Sequence, residues 1–262
     1  MKKTIASIII IVIILGAMTS VLILADKLFY RESAETAVTQ ETYSSNGVES
    51  LVIGIDVGYI NITENKSSDS FSVNTVGYEK DFYSVTVESG TLLIKSSELE
   101  WYDREIYNSV DKYGVTVSIP SSFEGEVKIL SKAGSISISD VTLPSLRATS
   151  EAGEIHISNP SISVMELSTD VGDISVENAR TDKVTLKSDV GDLSFSDAKS
   201  FVSSLNATAD VGDINLSLCG DREQYAINAV TGTGKCNVEN GGDGIYVDAS
   251  TGTGDINVTF SR

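Results

Sequence analysis

The chain has 262 residues, and its 37 Asp and Glu outnumber its 19 Lys and Arg, which gives a formal net charge of −18 at pH 7. Such a charge repels polyanions and argues against a DNA- or RNA-binding function, whereas cationic partners and metal ions are compatible with it. The length is sufficient for one large domain or two small ones, and the alternation of apolar and polar residues through most of the chain excludes a disordered protein.

The first 25 residues predict a transmembrane anchor. Thr4–Ala25 is an uncharged, Ile-rich run of 22 residues, and such a helix would extend about 33 Å across a hydrocarbon core of about 30 Å. Lys2 and Lys3 precede it, so the positive-inside rule places the rest of the chain outside the cell. The alternative is a cleaved signal peptide, but Leu22–Ala25 matches the A-x-A-like cleavage site poorly.

Between the anchor and the repeats, the sequence predicts three parts. Residues 26–47 are polar and aperiodic and are predicted to form a stalk. Within residues 48–126, Leu51–Thr63 alternates on both sides of Gly58 like a divergent first coil. Tyr83–Ser96 is typical of a β-hairpin that turns at residues 88–90, and the polar Ser97–Lys112 is predicted to be a loop.

Residues 127–262 contain a repeat with a glycine at its centre. Successive glycines are 19 to 22 residues apart, and a period of about 20 residues is typical of solenoids and other repeat arrays. The glycines of the repeat are Gly134, Gly153, Gly172, Gly191, Gly212, Gly234 and Gly254.

Apolar residues recur at fixed distances from each of these glycines. The positions seven and five residues before it, and two and four residues after it, are apolar in every repeat, which is the period of a half-buried strand. The inward positions are odd before the glycine and even after it, so the chain must turn a corner there. We therefore predict an all-β fold, a parallel β-solenoid (β-helix-like) with two or three sides, preceded by the β-hairpin region and one transmembrane α-helix.

Together these features resemble the LiaG-like putative adhesin domain family. The resemblance extends over Leu51–Phe260 and rests on the anchor, the opening Leu51–Ile62, the hairpin end Gly90–Ile94, the motif Val115–Pro120 and the coils that follow. It implies a bacterial, membrane-anchored domain of unknown function near envelope-stress systems. It implies no set of catalytic residues.

Acidic residues recur at outward positions on both sides of a repeated Val-Gly. Stacked coils would bring like charges to about 4.8 Å, at a cost of about 1 kcal/mol per pair in water. One explanation is turn chemistry, in which Asp accepts hydrogen bonds from backbone N–H groups. The other is a ladder of calcium sites, because calcium binds several carboxylate oxygens, although the glycine-rich calcium-binding nonapeptide is absent. The residues of this candidate metal ladder are Asp170, Asp173, Asp189, Asp192, Asp210 and Asp213.

Little in the sequence points to catalysis. His156 is the only histidine, and it occupies an outward strand position although a Ser-His-Asp triad would have to use it. Acid pairs recur from coil to coil, whereas glycoside hydrolysis needs one distinctive pair. Cys219 and Cys236 are expected to be free thiols, with Cys219 in a turn and Cys236 on a core position.

We therefore expect a single-pass membrane protein whose extracytoplasmic β-solenoid is a non-enzymatic binding or scaffold module of the bacterial envelope. The expected partners are the membrane, through the amino-terminal helix, and an envelope protein or cell-wall component, with no nucleic acid and no cofactor other than calcium. The alternatives are a glycan-active enzyme on the same fold and a self-assembling structural protein joined at exposed strand edges. A covered solenoid end would favour the monomer.

Overall fold

The computed structural model describes residues 37–79, 81–97, 111–197 and 202–261. Ala37–Arg262 form one compact unit. The predicted transmembrane segment, the first part of the predicted stalk and most of the predicted loop at Ser97–Lys112 lie outside the described residues. Within the described ranges, no helix is long and apolar enough to cross a membrane.

The described residues form twenty β-strands and one short 3₁₀-helix, Arg222–Gln224. The strands of the amino-terminal region are β1 (Ala37–Ser44), β2 (Ser50–Val57), β3 (Tyr59–Asn65), β4 (Ser70–Gly77), β5 (Tyr83–Glu88), β6 (Thr91–Ser96) and β7 (Gly114–Pro120). The strands of the repeat array are β8 (Glu126–Ala133), β9 (Ile136–Ser139), β10 (Thr142–Ala152), β11 (Ile155–Ser158), β12 (Ser161–Val171), β13 (Ile174–Ala179), β14 (Lys183–Val190), β15 (Leu193–Asp197), β16 (Ser204–Val211), β17 (Ile214–Cys219), β18 (Tyr225–Thr233), β19 (Ile245–Thr253) and β20 (Ile256–Ser261).

These strands form two ten-stranded sheets, which we call sheet A and sheet B. Sheet A has the order β1-β4-β7-β3-β9-β11-β13-β15-β17-β20, and sheet B has the order β18-β19-β16-β14-β12-β10-β8-β2-β6-β5. The named strands of the array all pair in parallel, and the antiparallel strand pairs β1–β4, β4–β7 and β5–β6 belong to the amino-terminal region. One isolated antiparallel bridge in the array joins Ile227 and Gly241. The predicted all-β, parallel, solenoid-like architecture is confirmed.

Each coil of the array, except the one around Gly234, crosses sheet B, turns at the repeated glycine and continues in sheet A. The predicted alternation is confirmed: Ile174 is fully buried and pairs with Ile155 on one side and with Leu193 on the other. The inward columns of both sheets pack into one continuous apolar core. Because one coil cannot bury its apolar face alone, stacking on its neighbours stabilises each coil.

A second corner, after the sheet A strand, is built from residues in the left-handed conformation. Asp140, Asn159 and Asn178 have φ values of 54°, 51° and 55°, and Asn and Asp adopt this region more readily than other non-glycine residues. The Nδ2 of Asn159 donates to Oδ1 of Asp140 at 3.0 Å, and the Nδ2 of Asn178 donates to Oδ1 of Asn159 at 2.7 Å. The sequence analysis missed this ladder, although its members are 19 residues apart.

The last two coils do not stack in the order in which they occur in the sequence. Strand β19 lies between β16 and β18, so the coil around Gly254 contacts the coil around Gly212, and the segment around Gly234 lies outside both. The predicted core position of Cys236 is therefore wrong, because Cys236 is exposed and forms only an isolated bridge with Ile256. Cys219, predicted to lie in a turn, is instead the last residue of strand β17 and pairs with Ser261, and both cysteines are free thiols.

The segment after β18 covers the carboxy-terminal end of the solenoid. The Oδ1 of Asn237 accepts a hydrogen bond from the Val258 N–H at 2.8 Å, and its Nδ2 donates to the Val258 carbonyl oxygen at 3.1 Å. Asn240 makes the same pair of bonds with Ala229, at 2.7 and 3.1 Å. Both amides therefore bind backbone N–H and C=O groups at strand edges, which could otherwise pair with another strand. Such a covered end is the feature that the sequence analysis expected to favour a monomer over self-assembly.

The amino-terminal region extends the stack at its other end. β2 and β3 form the predicted first coil, since they pair with β8 and β9 of the array, and β6 and β7 add a further parallel layer beyond them. The predicted hairpin is β5–β6. The structure differs from the predicted stalk at Ala37–Ser44, which is strand β1 and pairs with β4. Its side chains are mostly exposed and carry little apolar alternation, so the sequence pattern did not reveal it.

Candidate functional site

Three successive coils place the same four residue types, Asp-Val-Gly-Asp, at one corner, and we call this surface the DVGD edge. It comprises Asp170–Asp173, Asp189–Asp192 and Asp210–Asp213. In each coil the sheet B strand ends at the valine, and the sheet A strand begins after the second aspartate. Because the parallel strands are in register, like residues of neighbouring coils lie about 4.8 Å apart.

The glycine of the DVGD edge allows the coils to approach each other closely. Gly191 has a φ of 151°, and a Cβ at this position would lie 2.0 Å from the carbonyl oxygen of Gly172. Residues with a side chain rarely adopt a φ of this size, and only glycine lacks the Cβ that would overlap the neighbouring coil. The repeated glycine is therefore required by the backbone and does not by itself indicate a ligand.

Buried hydroxyl groups support the corner from inside. The Oγ of Ser188 donates to the carbonyl oxygen of Gly172 at 3.1 Å, and the Oγ1 of Thr251 donates to that of Gly212 at 2.9 Å. Both residues stand three positions before a repeated glycine, on an inward column. These bonds satisfy the buried hydroxyl groups of Ser188 and Thr251, whereas among the described residues the Oγ atoms of Ser131 and Ser150, in the same column, are buried without a hydrogen-bond partner.

The aspartate after each glycine forms a hydrogen-bonded ladder with the backbone. Asp192 donates its N–H to Oδ1 of Asp173 at 2.8 Å, and Asp213 donates its N–H to Oδ1 of Asp192 at 2.7 Å. The ladder continues through the N–H of Asp255 to Oδ1 of Asp213 and the N–H of Lys235 to Oδ1 of Asp255. These bonds are the turn chemistry that the sequence analysis weighed against calcium binding.

The aspartate before each valine has no comparable role. Asp170 and Asp210 are exposed, and within the described part of the chain neither has a hydrogen-bonding or ion-pair partner. Asp189 lies 3.5 Å from the Nζ of Lys187, and both side chains are about half exposed, so this ion pair contributes little to stability. This acidic column therefore remains available to a partner.

The six aspartates of the candidate calcium ladder are brought to one edge but not into a cage. In the ranges that the structure describes, no group of three or more His, Cys, Asp or Glu side chains could hold a metal ion. Of the six, Asp173, Asp192 and Asp213 each use one oxygen to accept a backbone hydrogen bond from the next coil. The calcium ladder stays a prediction, and a test of it is given in the Discussion.

The valines of the DVGD edge are exposed, which the sequence analysis missed. Val171, Val190 and Val211 pair laterally in register, and their side chains are 55%, 49% and 48% exposed. The period-2 alternation assigns them to the inward side, as it does Val57 of the first coil, which is fully buried. The corner turns the three array valines out of the core instead. The available signal was that valine takes this position in only three coils of the repeat array, since Ala152 and two threonines take it in the neighbouring coils.

The described residues bring together no set of side chains typical of a catalytic site. His156 is exposed on β11, and no described residue forms a hydrogen bond or ion pair with its side chain. Burial raises the pKa of Asp197 above its ordinary value, but its Oδ2 accepts a hydrogen bond from the Cys219 N–H at 2.8 Å, which opposes the shift. Tyr225 donates its O–H to the Cys219 carbonyl oxygen at 2.6 Å. These contacts hold a corner together and pair no nucleophile with a base.

The fold is that of an all-β repeat protein, and the DVGD edge is a surface that extends over three of its coils. The profile of the Toastrack family, DUF4097, matches residues 48–262. The chain therefore belongs to the Toastrack DUF4097 family, and the adhesin-like family expected from the sequence is confirmed, without a feature specific to LiaG-type members. No curated protein matches the chain.

Several solved structures are similar to the chain at low sequence identity. A putative adhesin from Bacteroides fragilis has 14% identity and a TM-score of 0.53, over 87% of this chain and 99% of that one. A putative adhesin from Parabacteroides distasonis has 13% identity and a TM-score of 0.48, over 86% and 98% of the two chains. A putative lipid binding protein from the same organism has 13% identity and a TM-score of 0.47, over 87% and 97%. The Bacteroides structure supports the fold assignment alone.

Proposed function

We propose that the protein is a non-enzymatic binding or scaffold module of the bacterial cell envelope, with the DVGD edge as its contact surface. The observation that supports this is the column of three exposed valines between two columns of aspartates. The coil itself does not require valine there, since Ala152 and Thr253 occupy the same position in the adjoining coils. Contiguous exposed apolar residues rimmed by polar ones are typical of interaction sites.

The anchor and the partner belong to the same proposal. The uncharged run Thr4–Ala25 after Lys2 and Lys3 would hold the module outside the cytoplasmic membrane. There the edge would contact an envelope protein or a cell-wall component, and the family resemblance suggests a link to envelope stress. The description of the Bacteroides relative as a putative adhesin agrees with a binding role.

The experiment combines topology with site-specific crosslinking in the native host. Protease is added to intact cells stripped of their wall, and a photo-crosslinking amino acid replaces Asp210 on the edge or Glu177 elsewhere on the coil surface, both exposed. We expect the protease to degrade residues 26–262, and we expect Asp210 but not Glu177 to crosslink a specific envelope component.

Two outcomes would contradict the proposal. Full protection of residues 26–262 from protease would exclude the extracytoplasmic orientation. Equal crosslinking from Asp210 and Glu177, or none from either, would show that the DVGD edge is not the contact surface.

A further inference from the structure

We propose that the DVGD edge binds a cationic amphipathic helix that lies along the solenoid axis. This inference rests on the proposed function of the edge as a contact surface and assigns the chemical class of its partner. Three observations support it, namely the exposed valine column, the acidic columns on both of its sides and the spacing of the coils.

The valine column supplies an apolar contact. Val171, Val190 and Val211 are about half exposed and lie side by side, so a ligand that covers them removes a continuous apolar stripe from water. The stripe ends at Ala152 on one side and at Thr253 on the other, both exposed. A partner therefore needs three apolar residues on one face.

The aspartates supply the charge. Asp170, Asp189 and Asp210 directly precede the valines and the second aspartate of each motif follows two residues later, so a column of aspartates lies on each side of the valine column along the chain. Among the residues that the structure describes, one cation, Lys187, contacts this set, at 3.5 Å from Asp189. An apolar stripe with carboxylates on both sides complements a ligand that has an apolar stripe with Lys or Arg on both sides. A second copy of this chain would bring its own aspartates against them, so like-charge repulsion argues against it.

The spacing of the coils selects a helix over an extended strand. Neighbouring strands of a sheet are about 4.8 Å apart, so the three valines span about 10 Å. Residues i, i+4 and i+7 of an α-helix lie on one face and span about 10.5 Å. Three residues on one face of an extended strand span about 13 Å, which displaces the outer side chains from the outer valines. The inferred partner therefore presents one apolar residue per helical turn to each coil.

The test uses the full chain in a non-ionic detergent and synthetic helical peptides of about four turns. The probe peptide has one leucine stripe flanked by lysines, and its control has the same composition in an order without a stripe. Binding is measured by fluorescence anisotropy over a range of NaCl concentrations. The edge variant replaces Val171, Val190 and Val211 by Thr, and the matched control variant replaces Val38, Val87 and Val230, which are exposed outside the edge.

We expect the striped peptide to bind the native chain and the control variant alike, and to bind the edge variant at least about tenfold more weakly. Asp170→Asn with Asp210→Asn should also weaken binding and should reduce its dependence on salt. Threonine is similar to valine in size and the sites are exposed, so the edge variant should fold, which a melting curve checks.

Three results would overturn the inference. These are equal affinity for the striped and unstriped peptides, equal affinity of the edge variant and the native chain, or self-association of the native chain that the edge variant loses. Peptide binding is measured without cells, so its failure is distinguishable from failure of the proposed function. If Asp210 crosslinks an envelope component while no peptide binds, the contact surface stands and the cationic helix is wrong.

Discussion

The backbone of the neighbouring coil leaves room only for glycine at the repeated corner. At Gly191 an added methyl group would overlap the Gly172 carbonyl oxygen at a φ that other residues rarely adopt. Gly54, in the middle of β2, has no atom within 4 Å of the position that a Cβ would take, and its φ is not positive. The two glycines therefore differ in what they tolerate, although both lie in strand-rich sequence.

We predict that Gly191→Ala lowers the free energy of unfolding by at least about 2 kcal/mol, because it combines overlap with backbone strain. Gly54→Ala should change it by less than about 1 kcal/mol, since alanine reduces the entropy of the unfolded chain without a clash. Chemical denaturation of both variants measures the difference. Equal destabilisation would contradict the close approach of the coils at the corner.

The aspartates after the glycines accept hydrogen bonds and repel one another at the same time. We predict that replacing Asp173 and Asp192 by Asn raises the free energy of unfolding by up to about 1 kcal/mol at low salt. The amide oxygen still accepts the backbone N–H, while two like charges are removed. The gain should diminish as NaCl is added, because salt screens the repulsion.

Calcium provides the control for this prediction. At matched ionic strength, sodium and calcium should raise the melting temperature of the native chain equally if the aspartates only repel one another. A calcium-specific rise that the double Asn variant loses would instead establish the calcium ladder, because a ligand that binds only the folded state stabilises it.

Asp192→Ala should lower the free energy of unfolding by about 1 kcal/mol, since the Asp213 N–H loses its acceptor.

At the scale of the element, each strand of the array contributes inward residues that the neighbouring coils enclose. We predict that Ile174→Asp unfolds several coils, because it places a charge without a partner between Ile155 and Leu193. Ser175→Asp should change the free energy of unfolding by less than about 1 kcal/mol, since Ser175 is on the outward side of β13. Circular dichroism during thermal unfolding compares the two, and a similar loss in both would show that the register of β13 is wrong.

At the scale of the whole molecule, the order of the last coils distinguishes this stack from a simple linear repeat. Thr208 of β16 pairs with Ser250 of β19, and Ser250 pairs with Val230 of β18. In sequence order Thr208 would have paired with Val230. The segment after Gly234 accompanies the exchange, since Cys236 is exposed and the side chain of Asn237 bonds to the Val258 backbone at the edge of β20.

We predict that a Thr208→Cys, Ser250→Cys chain forms a disulfide, and that a Thr208→Cys, Val230→Cys chain does not. Adjacent strands are about 4.8 Å apart, within the range of a disulfide, whereas strands two apart are about 9.6 Å apart and beyond it. Cys219 and Cys236 are first replaced by Ser in both. Mass spectrometry after mild oxidation counts the remaining thiols, and a disulfide only in the second chain would restore the sequence order.

Much of the candidate site was predictable because its signals are local. The six aspartates were identified as an outward ladder from their distance to the glycine. The alternation of the sequence assigned Val190 to the core, but its side chain is exposed. Alternation describes a regular strand and carries no information about how a corner reorients a side chain. Asn159 and Asn178 were also missed, since their role depends on a bond to the next coil.

By itself the sequence determined the coil: its length, its two strands, its glycine corner and the inward face of each strand. These depend on residues within about 20 positions of one another, where alternation and backbone constraints act directly. Only the tertiary structure decided which coils are neighbours, that β1 pairs with β4 and that the valines of the DVGD edge face solvent. The physical reason is that similar apolar columns make the coils interchangeable as partners. Long-range contacts therefore decide which coils become neighbours, and an example is the hydrogen bonding of the two asparagine amides at the carboxy-terminal end.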